Sequence, residues 1–470
     1  METFQQRIPT ELKQIITSEE AYEYRIIPKE KNNNSIIFWS DAKNSNRLAK
    51  ELSIIYNSSI TINSINSTSL DTLLAKNYRK STTTKALNFN LNFLEKLLLS
   101  AKEYDSSDIH LEPYEKQCRI RFRIDGKLIE QYTINKEEYP QIINQIKIKA
   151  GLDISQKRLS QDGRISVNTD GNEFDIRVSC LPTLHGEKIV MRILKRDTKN
   201  IDLKKLGFTD QELKTYLEGI KNPNGIILIS GPTGSGKTTT LYGTLKLLNE
   251  ESRNITTIED PIEYTLEGIN QVQLKEDIGF DFPSALRTFL RQDPDIIMVG
   301  EIRDEKTANM AIKAALTGHL VFSTIHTNSA WATISRLIDM SIPPFLIAST
   351  LKISMAQRLV RKLCPHCKKE TCIEKIDFPS QFSIPKEMKT TFEPIGCPQC
   401  HYTGYSGRIA IYEILPIDRQ MEQFIHSNDL NIDEHTQKHK IKTLKSNAIR
   451  LIKSGKTSVE EVYSILTNTI

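Results

Sequence analysis

Apolar and charged residues alternate over two stretches of the region between residues 86 and 200. One alternation runs from Cys118 to Ile124, and Asp125-Gly126 directly after it is a favourable two-residue hairpin turn. The second runs from Phe174 to Val178. Ahead of both, Leu91, Leu94, Leu97 and Leu98 recur at helical spacing. The pattern predicts a mixed α+β domain that contains an antiparallel sheet.

Beyond about residue 205, short apolar runs end in glycine-rich or acidic turns, and a helical stretch follows each run. The runs Ile226–Ile229, Ile255–Ile258 and Ile296–Val299 predict buried parallel strands. Strands that alternate with helices predict a doubly wound α/β domain. From about residue 415 the pattern is helical to the last residue.

The first 85 residues carry no pattern that points to chemistry. The apolar stretch Ser35–Trp39 indicates a small folded domain, whereas 57–69 and 80–85 predict polar loops or linkers. No apolar run approaches the roughly 18 residues that a membrane span needs, and residues 1–10 lack an apolar signal-peptide core. The net charge of +5 does not by itself indicate nucleic acid or anionic lipid. We therefore expect a cytosolic protein.

A glycine-rich segment matches the P-loop pattern G-x-x-x-x-G-K-[ST] in its expected context, between an apolar strand and a helical stretch. Its backbone N–H groups and the helix N-terminus favour a phosphate group. The lysine would neutralise phosphate oxygens, and the final threonine would ligate Mg²⁺. A glycine-rich turn with a surface lysine is the alternative, which this context disfavours. The predicted nucleotide-binding residues are Gly231, Pro232, Thr233, Gly234, Ser235, Gly236, Lys237 and Thr238.

Acidic residues follow the next two predicted strands, at the sheet edge where open α/β sheets bind ligands. The first group is Glu259 to Glu263, and the second extends from Asp293 to Asp304. Glu301 directly follows an apolar strand and Gly300, a suitable place for a carboxylate that binds Mg²⁺ or positions water. His326 ends a further short strand. A lone histidine is more often structural, but the neighbouring clusters favour a phosphate-sensing or coupling role.

Four of the seven cysteines form two C-x-x-C pairs, Cys364 with Cys367 and Cys397 with Cys400. Two such turns can place four thiolates around Zn²⁺ in a closed structural site. Two unrelated pairs of reduced cysteines are the alternative. Cys118 and Cys180 lie on apolar strand faces and are predicted to be packing residues, whereas Cys372 has no evident role.

Taken together, these motifs resemble the secretion and type IV pilus assembly ATPases, from about Lys85 to the C-terminus. The segments that carry the resemblance are the P-loop, 257–263, 290–304 and 317–327. The resemblance implies an α/β fold: a RecA-like P-loop NTPase domain preceded by a mixed α+β, PAS-like domain, with a four-cysteine zinc insert and a helical C-terminus. The implied division is 1–85 for docking and linker, 86–200 for the α+β domain, 201–360 for the ATPase core, 361–412 for the zinc insert and 413–470 for the helical region.

Roles for individual residues follow from the resemblance. Glu263 matches the proposed general base, with Glu259 and Asp260 in support, and Glu301 matches an Mg²⁺-linked carboxylate. His326 matches the histidine of a family motif. The arginine matches are Arg177 and Arg192, which the N-terminal half would swing onto phosphate, and Arg287 and Arg291, a pair near the nucleotide.

The implied function is that of a hexameric cytoplasmic motor that hydrolyses ATP, with Mg²⁺ and Zn²⁺ as cofactors, and powers pseudopilus assembly by a type II secretion system. The four-cysteine insert, 357–361 and 404–408 resemble the type II secretion and pilus-extension subgroup. A short N-terminal region favours secretion, and a pilus-extension ATPase is the alternative. The implied partners are the cytoplasmic domain of an inner-membrane secretion component of the L type and the platform membrane protein, which would hold the motor peripherally at the inner membrane.

Two other classes are disfavoured. A nucleic-acid processing protein with a zinc ribbon would call for more than a charge of +5 and for an aromatic-basic cluster on the cysteine lobe, so no nucleic acid is expected. A nucleotide-binding scaffold without hydrolysis is at odds with the intact set of Lys237, Glu263, Glu301 and His326.

Overall fold

The computed structural model describes residues 8–9, 12, 15–32, 35–56, 58–78, 93–169, 172–194, 201–376, 378–427 and 441–467. The chain divides into two compact units. The first comprises residues 1–194, 363–371 and 392–407, and the second comprises 195–362, 372–391 and 408–470. This division into two units does not follow the five predicted segments, whose boundaries stay predictions.

The first unit begins with a three-stranded sheet and three helices that enclose a small apolar core. The middle strand pairs antiparallel with the first strand and parallel with the third. Phe38, Leu52 and Leu70 are completely buried in the core. The elements are α1 (Ser18–Glu23), β1 (Ile26–Asn32), β2 (Ser35–Ser40), α2 (Ser45–Tyr56), β3 (Ser59–Ser64) and α3 (Ser67–Asn77).

The prediction of a loop or linker over 57–69 is wrong, because this stretch contributes β3 and the start of α3. Ile60 and Ile62 alternate with polar residues along β3 and pack against the core. The polar composition of 57–69 favoured a loop, and the alternation of only two isoleucines was too short to predict a strand. Leu73 and Leu74 are buried in α3, so this segment is part of the small domain. The predicted linker at 80–85 and Leu91 lie outside the described residues.

A six-stranded antiparallel sheet forms the rest of the first unit, in the order β6-β5-β4-β9-β8-β7. Leu94, Leu97 and Leu98 pack into its core from a helix, as their spacing predicts. Asp125 and Gly126 both have positive φ and form the predicted hairpin turn. The elements are α4 (Phe93–Glu103), β4 (Asp108–Pro113), β5 (Cys118–Ile124), β6 (Lys127–Ile134), α5 (Tyr139–Lys149), β7 (Gln161–Thr169), β8 (Asn172–Thr183) and β9 (Gly186–Leu194).

A seven-stranded sheet in the order β12-β11-β13-β14-β10-β15-β18 forms the second unit. Along β10, Ile226 and Leu228 belong to one apolar core and Ile227 and Ile229 to another, so both faces of the sheet are covered, as in the predicted doubly wound domain. The three predicted strands pair in parallel with their neighbours. The strands are β10 (Gly225–Ser230), β11 (Ile255–Glu259), β12 (Asn270–Gln273), β13 (Ile296–Val299), β14 (Leu320–Ile325), β15 (Leu351–Leu363) and β18 (Tyr405–Pro416).

Helices cover this sheet, and among the described residues after β18 all further elements up to Thr467 are helices, in the predicted helical region. A separate two-stranded sheet pairs β16 (Lys369–Cys372) with β17 (Thr390–Glu393). Among the described residues no helix has both the length and the apolar character that crossing a membrane requires. The helices are α6 (Asp210–Gly219), α7 (Lys237–Leu248), α8 (Phe282–Phe289), α9 (Glu305–Leu316), α10 (Ala330–Asp339), α11 (Pro344–Thr350), α12 (Arg419–His426), α13 (Leu444–Lys453) and α14 (Val459–Thr467).

Candidate nucleotide-binding site

The P-loop connects the end of β10 to the start of α7, at the carboxyl edge of the parallel sheet. Gly231 has a φ of 148°, and a Cβ at this position would lie 2.5 Å from the carbonyl oxygen of Gln357. Gly236 caps α7 in the left-handed conformation, with a φ of 86°. A side chain at either position would be strained because φ is positive, and at Gly231 it would also clash with the backbone of Gln357. The glycines thus allow the tight backbone turn that brings N–H groups to a phosphate.

Lys237 is buried and its ammonium group folds back onto the loop. Its Nζ donates to the carbonyl oxygens of Gly231, at 2.8 Å, and Pro232, at 3.1 Å. Burial lowers the pKa of Lys237, the charge of Glu301 opposes that shift, and the charge of Arg358 adds to it. The lysine therefore lies within electrostatic range of a predicted catalytic carboxylate.

Two residues of β15 that sequence reasoning did not assign to the site lie next to the P-loop, and Gln357 bonds to it directly. The Gln357 side chain donates from Nε2 to the carbonyl oxygen of Ser235, at 2.8 Å, and accepts from Thr240 Oγ1, at 2.9 Å. Arg358 donates from Nη2 to the carbonyl oxygen of Asn328, at 3.0 Å. Gln357 and Arg358 are adjacent polar residues inside a mostly apolar strand, and this was the only signal in the sequence. The parallel pairing of β15 with β10 is what shows that they lie beside the P-loop.

Glu301, His326 and Asp260 come from the ends of three neighbouring strands, as predicted. His326 Nε2 lies 3.3 Å from Glu301 Oε2, and the guanidinium of Arg303 forms an ion pair with Glu301. Arg303 Nη2 also lies 3.9 Å from Asp260 Oδ2. The structure therefore brings together two predicted acidic residues and the histidine. It adds Arg303, to which the sequence assigns no role beyond the 290–304 motif.

Glu259 has different surroundings from Glu301. Its buried carboxylate accepts hydrogen bonds from the hydroxyl of Tyr242, from Thr257 Oγ1 at 2.6 Å and from Gln271 Nε2 at 3.1 Å. Burial raises the pKa of Glu259 in spite of these donors. This carboxylate joins β11 to α7 and β12, an arrangement suited to positioning the loop that follows β11.

Glu263 lies in that loop and is half-buried. The negative charge of Glu263 adds to burial in raising the pKa values of Glu259 and Tyr264, so its carboxylate is near both. The predicted general base is thus held beside a buried acidic group, in the turn that follows β11.

The four predicted arginines occupy two different settings. Arg287 is exposed near the end of α8, and Arg291 donates from Nη1 to its carbonyl oxygen, at 3.0 Å. Arg177 and Arg192 belong to the first unit, where they are directly opposed on β8 and β9. Arg192 forms an ion pair with Asp108. Their catalytic roles stay predictions.

The four cysteines of the C-x-x-C pairs form one cluster, in which all four sulfur atoms lie within 4.8 Å of one another. Backbone N–H groups of Gly396 and Gly404 donate to two of these sulfurs, at 3.3 and 3.2 Å, an arrangement that stabilises thiolates. Four soft sulfur ligands at these distances can hold one metal ion and fit zinc best. Cys372 is exposed and outside the cluster, and Cys118 and Cys180 are buried packing residues, as predicted.

Comparisons with known proteins agree with this geometry. Residues 84–464 match the profile of a family described as type II/IV secretion system protein. The type IV pilus assembly ATPase PilB of Myxococcus xanthus is 47% identical over 374 residues, which are 78% of this chain and 66% of the relative. Type II secretion system protein E of Pseudomonas aeruginosa is 44% identical over 377 residues, which are 80% of this chain and 75% of the relative.

A solved structure supports the fold. The Legionella pneumophila ATPase DotB aligns with a TM-score of 0.63 and 22% identity, over 82% of this chain and 98% of DotB. The family match, the identity to both relatives and the P-loop beside Glu301 and His326 lead to one conclusion. The chain belongs to the type II/IV secretion system protein family and is an ATPase of that family.

Proposed function

We propose that this ATPase is the cytoplasmic motor that powers pseudopilus assembly and protein export by a type II secretion system. The observation that carries the proposal is that the P-loop, Glu301 and His326 lie at one edge of the sheet, with Glu301 close enough to influence the pKa of Lys237. The relative from Pseudomonas aeruginosa bears the name of that system.

In the proposed reaction a water molecule attacks the γ-phosphorus of ATP, and the bond to the β,γ-bridging oxygen breaks to leave ADP. Glu263 takes the proton of the attacking water as general base, with Asp260 and Glu259 holding its loop. The P-loop amides and Lys237 stabilise the negative charge on the phosphate oxygens. The ammonium group of Lys237 exchanges its two carbonyl acceptors for those oxygens.

Thr238 and Glu301 would hold Mg²⁺, which supplies positive charge next to the β- and γ-phosphate oxygens. His326 contacts Glu301 and would report through this contact whether the γ-phosphate is present. Arg177 and Arg192 of the first unit, Arg287 of α8 and Arg291 just after that helix would add guanidinium groups around the phosphates. Hydrolysis would release Arg177 and Arg192 from the phosphates, and the first unit that carries them would then move.

The cysteine cluster would hold one Zn²⁺ as a structural ion. Four thiolates complete a tetrahedral shell and leave no position for a substrate or water. The ion would therefore stabilise the segments around the two C-x-x-C turns rather than take part in hydrolysis.

Two of the proposed arginines, Arg177 and Arg192, belong to the first unit, whereas the P-loop belongs to the second. The proposed hydrolysis therefore depends on assembly, and a homohexamer is the proposed active form. Its proposed partners are the cytoplasmic domain of an L-type inner-membrane component and the platform membrane protein. They would hold the motor peripherally at the inner membrane. The second candidate is a pilus-extension motor, which the name of the Myxococcus xanthus relative favours.

A pull-down separates the two candidates. The full chain is mixed with the purified cytoplasmic domain of the L component, and separately with its pilus counterpart from the same cell. Retention on the L component alone is the expected result. Retention on the pilus counterpart alone would support the pilus-extension function instead. The proposed mechanism of ATP hydrolysis would stay the same.

A further inference from the structure

A buried carboxylate lies between two arginines on the six-stranded sheet of the first unit. Asp108, on the central strand β4, is directly opposite Arg123 of β5 on one side and Arg192 of β9 on the other. Only 5% of Asp108 is exposed. Arg192 is in turn directly opposite Arg177 of β8. Arg192 and Arg177 are like charges that face each other across two strands and repel. A carboxylate beside them can fix the direction of the Arg192 guanidinium.

The contacts of Asp108 fix the inner end of the Arg192 guanidinium. Arg192 Nε donates to Asp108 Oδ1, at 3.0 Å. The other oxygen, Oδ2, accepts from Ser107 Oγ, at 2.8 Å, and lies 3.3 Å from Arg123 Nε. Both oxygens of the carboxylate are thus engaged, and the carboxylate itself cannot turn away.

The outer end of Arg192 is left accessible. Its side chain is 58% exposed although its Nε is bound to a buried group. A guanidinium presents two further donor groups, Nη1 and Nη2, and these form the fork that binds two phosphate oxygens. Binding through Nε leaves that fork directed outward.

We propose that Asp108 is a positioning residue, which holds Arg192 through Nε so that the Nη1–Nη2 fork is ready for the phosphate groups of ATP. This inference rests on the proposed function, in which Arg192 binds phosphate. A flexible arginine would have to find this geometry in each turnover, whereas a preset guanidinium stabilises the transition state without reorganising.

The test is Asp108→Asn in the full chain, with kcat, KM for ATP and the melting temperature measured. Asparagine keeps the shape but removes the charge that holds both arginines. The expected result is a fall in kcat of about tenfold with KM changed less than about twofold, which corresponds to interaction gained in the transition state.

Glu112→Gln is the matched control for a general loss of stability. Glu112 lies two residues further along the same strand, is 4% exposed, and binds Arg119, Arg121 and Lys188. Both substitutions remove a buried carboxylate that holds basic side chains, so both are expected to lower the melting temperature. Only Asp108→Asn should lower kcat. Equal falls of kcat in the two variants would overturn the inference.

A double variant separates this inference from the proposed role of Arg192. In an Arg192→Gln background, Asp108→Asn should have no further effect on kcat, because the arginine that it positions is gone. If Arg192→Gln is impaired and Asp108→Asn alone keeps full turnover, only the inference fails. If Arg192→Gln itself keeps full turnover, the proposed role of Arg192 fails, and the inference with it.

Discussion

The Nε2 atom of His326 lies 3.3 Å from Oε2 of Glu301, a contact that joins the ends of β14 and β13. The same carboxylate binds the Arg303 guanidinium, and its charge partly opposes the lowering of the Lys237 pKa by burial. Glu301 therefore connects the histidine to the P-loop, and a change at this carboxylate should affect hydrolysis before it affects nucleotide binding.

Glu301→Gln is expected to retain ATP binding and to lower kcat by about 100-fold, within the range that a positioned catalytic group contributes. The amide keeps the size of the side chain but loses the charge that His326 and Arg303 contact. Steady-state turnover and a titration with a fluorescent ATP analogue measure the two quantities separately.

Glu305→Gln is the control for this variant, because Glu305 is exposed in the first turn of α9, four residues away. It should behave as the wild type does. Adding His326→Gln to Glu301→Gln should lower turnover little further, since the two side chains act through one contact. Wild-type turnover in Glu301→Gln would remove this carboxylate from the reaction.

Gln357→Ala is expected to weaken ATP binding, because it removes the two hydrogen bonds that tie the P-loop carbonyl of Ser235 and the Thr240 hydroxyl to β15. Hydrogen bonds of this kind contribute roughly 1 kcal/mol each, so the loss of both should raise the Kd for ATP by up to about 30-fold. Isothermal titration gives the Kd directly. Gln423→Ala, on the exposed side of α12, is the matched control, and an unchanged Kd in Gln357→Ala would show that β15 does not support the loop.

The residues that could be predicted from sequence are those whose chemistry is local. The P-loop depends on a strand, glycines and a helix that are consecutive, and the four cysteines depend on two short turns. Glu301 follows its strand directly, so parallel strand order was enough to place it near the loop after β10. The same order predicted a site at one edge of a doubly wound sheet.

Residues that depend on pairing between distant strands could not be predicted. Gln357 lies more than a hundred residues from the Ser235 carbonyl that it binds, and β15 had to be placed beside β10 to show it. Glu259 was assigned from its motif to the acidic group, but tertiary packing holds it against Tyr242 and Gln271. In the small N-terminal sheet, β3 could not be predicted because its four polar residues outnumber the two isoleucines that pack against the core.

The buried imidazole of His110 predicts a pH dependence of stability. His110 is 8% exposed and lies near Asp108, Glu112, Arg123 and Lys188. Burial lowers its pKa, and the two basic groups add to that shift. The unfolded chain takes up a proton near pH 6.5 and the folded chain only at lower pH, so this contribution to stability is present above about pH 6.5 and is lost as the pH falls below it.

Chemical denaturation at pH 7.5 and pH 5.5 measures this effect. The free energy of unfolding of the wild type should fall between these values relative to His110→Gln, by at most about 1.4 kcal/mol per pH unit below 6.5. His185→Gln, at an exposed histidine of the same unit, should follow the wild type. The same pH dependence in wild type and His110→Gln would show that the folded protein protonates His110 as readily as the unfolded chain does.

The cysteine cluster predicts one zinc ion per chain, bound by Cys364, Cys367, Cys397 and Cys400. Elemental analysis of purified protein should give a zinc-to-chain ratio close to one. Cys364→Ser with Cys397→Ser should abolish the bound zinc and lower the melting temperature, because a closed four-sulfur site contributes to folding. Cys372→Ser, at an exposed cysteine outside the cluster, should keep the metal, and full zinc content in the double variant would exclude this site.

The central claim is that ATP hydrolysis at the Glu301 site drives protein export. The most direct measurement is the amount of protein that reaches the medium when the organism's only copy of this chain carries Glu301→Gln. The account predicts that export stops while the variant is present at wild-type level and the number of surface pili is unchanged. Undiminished export would contradict the account, and undiminished export with loss of pili would identify pilus extension as the output.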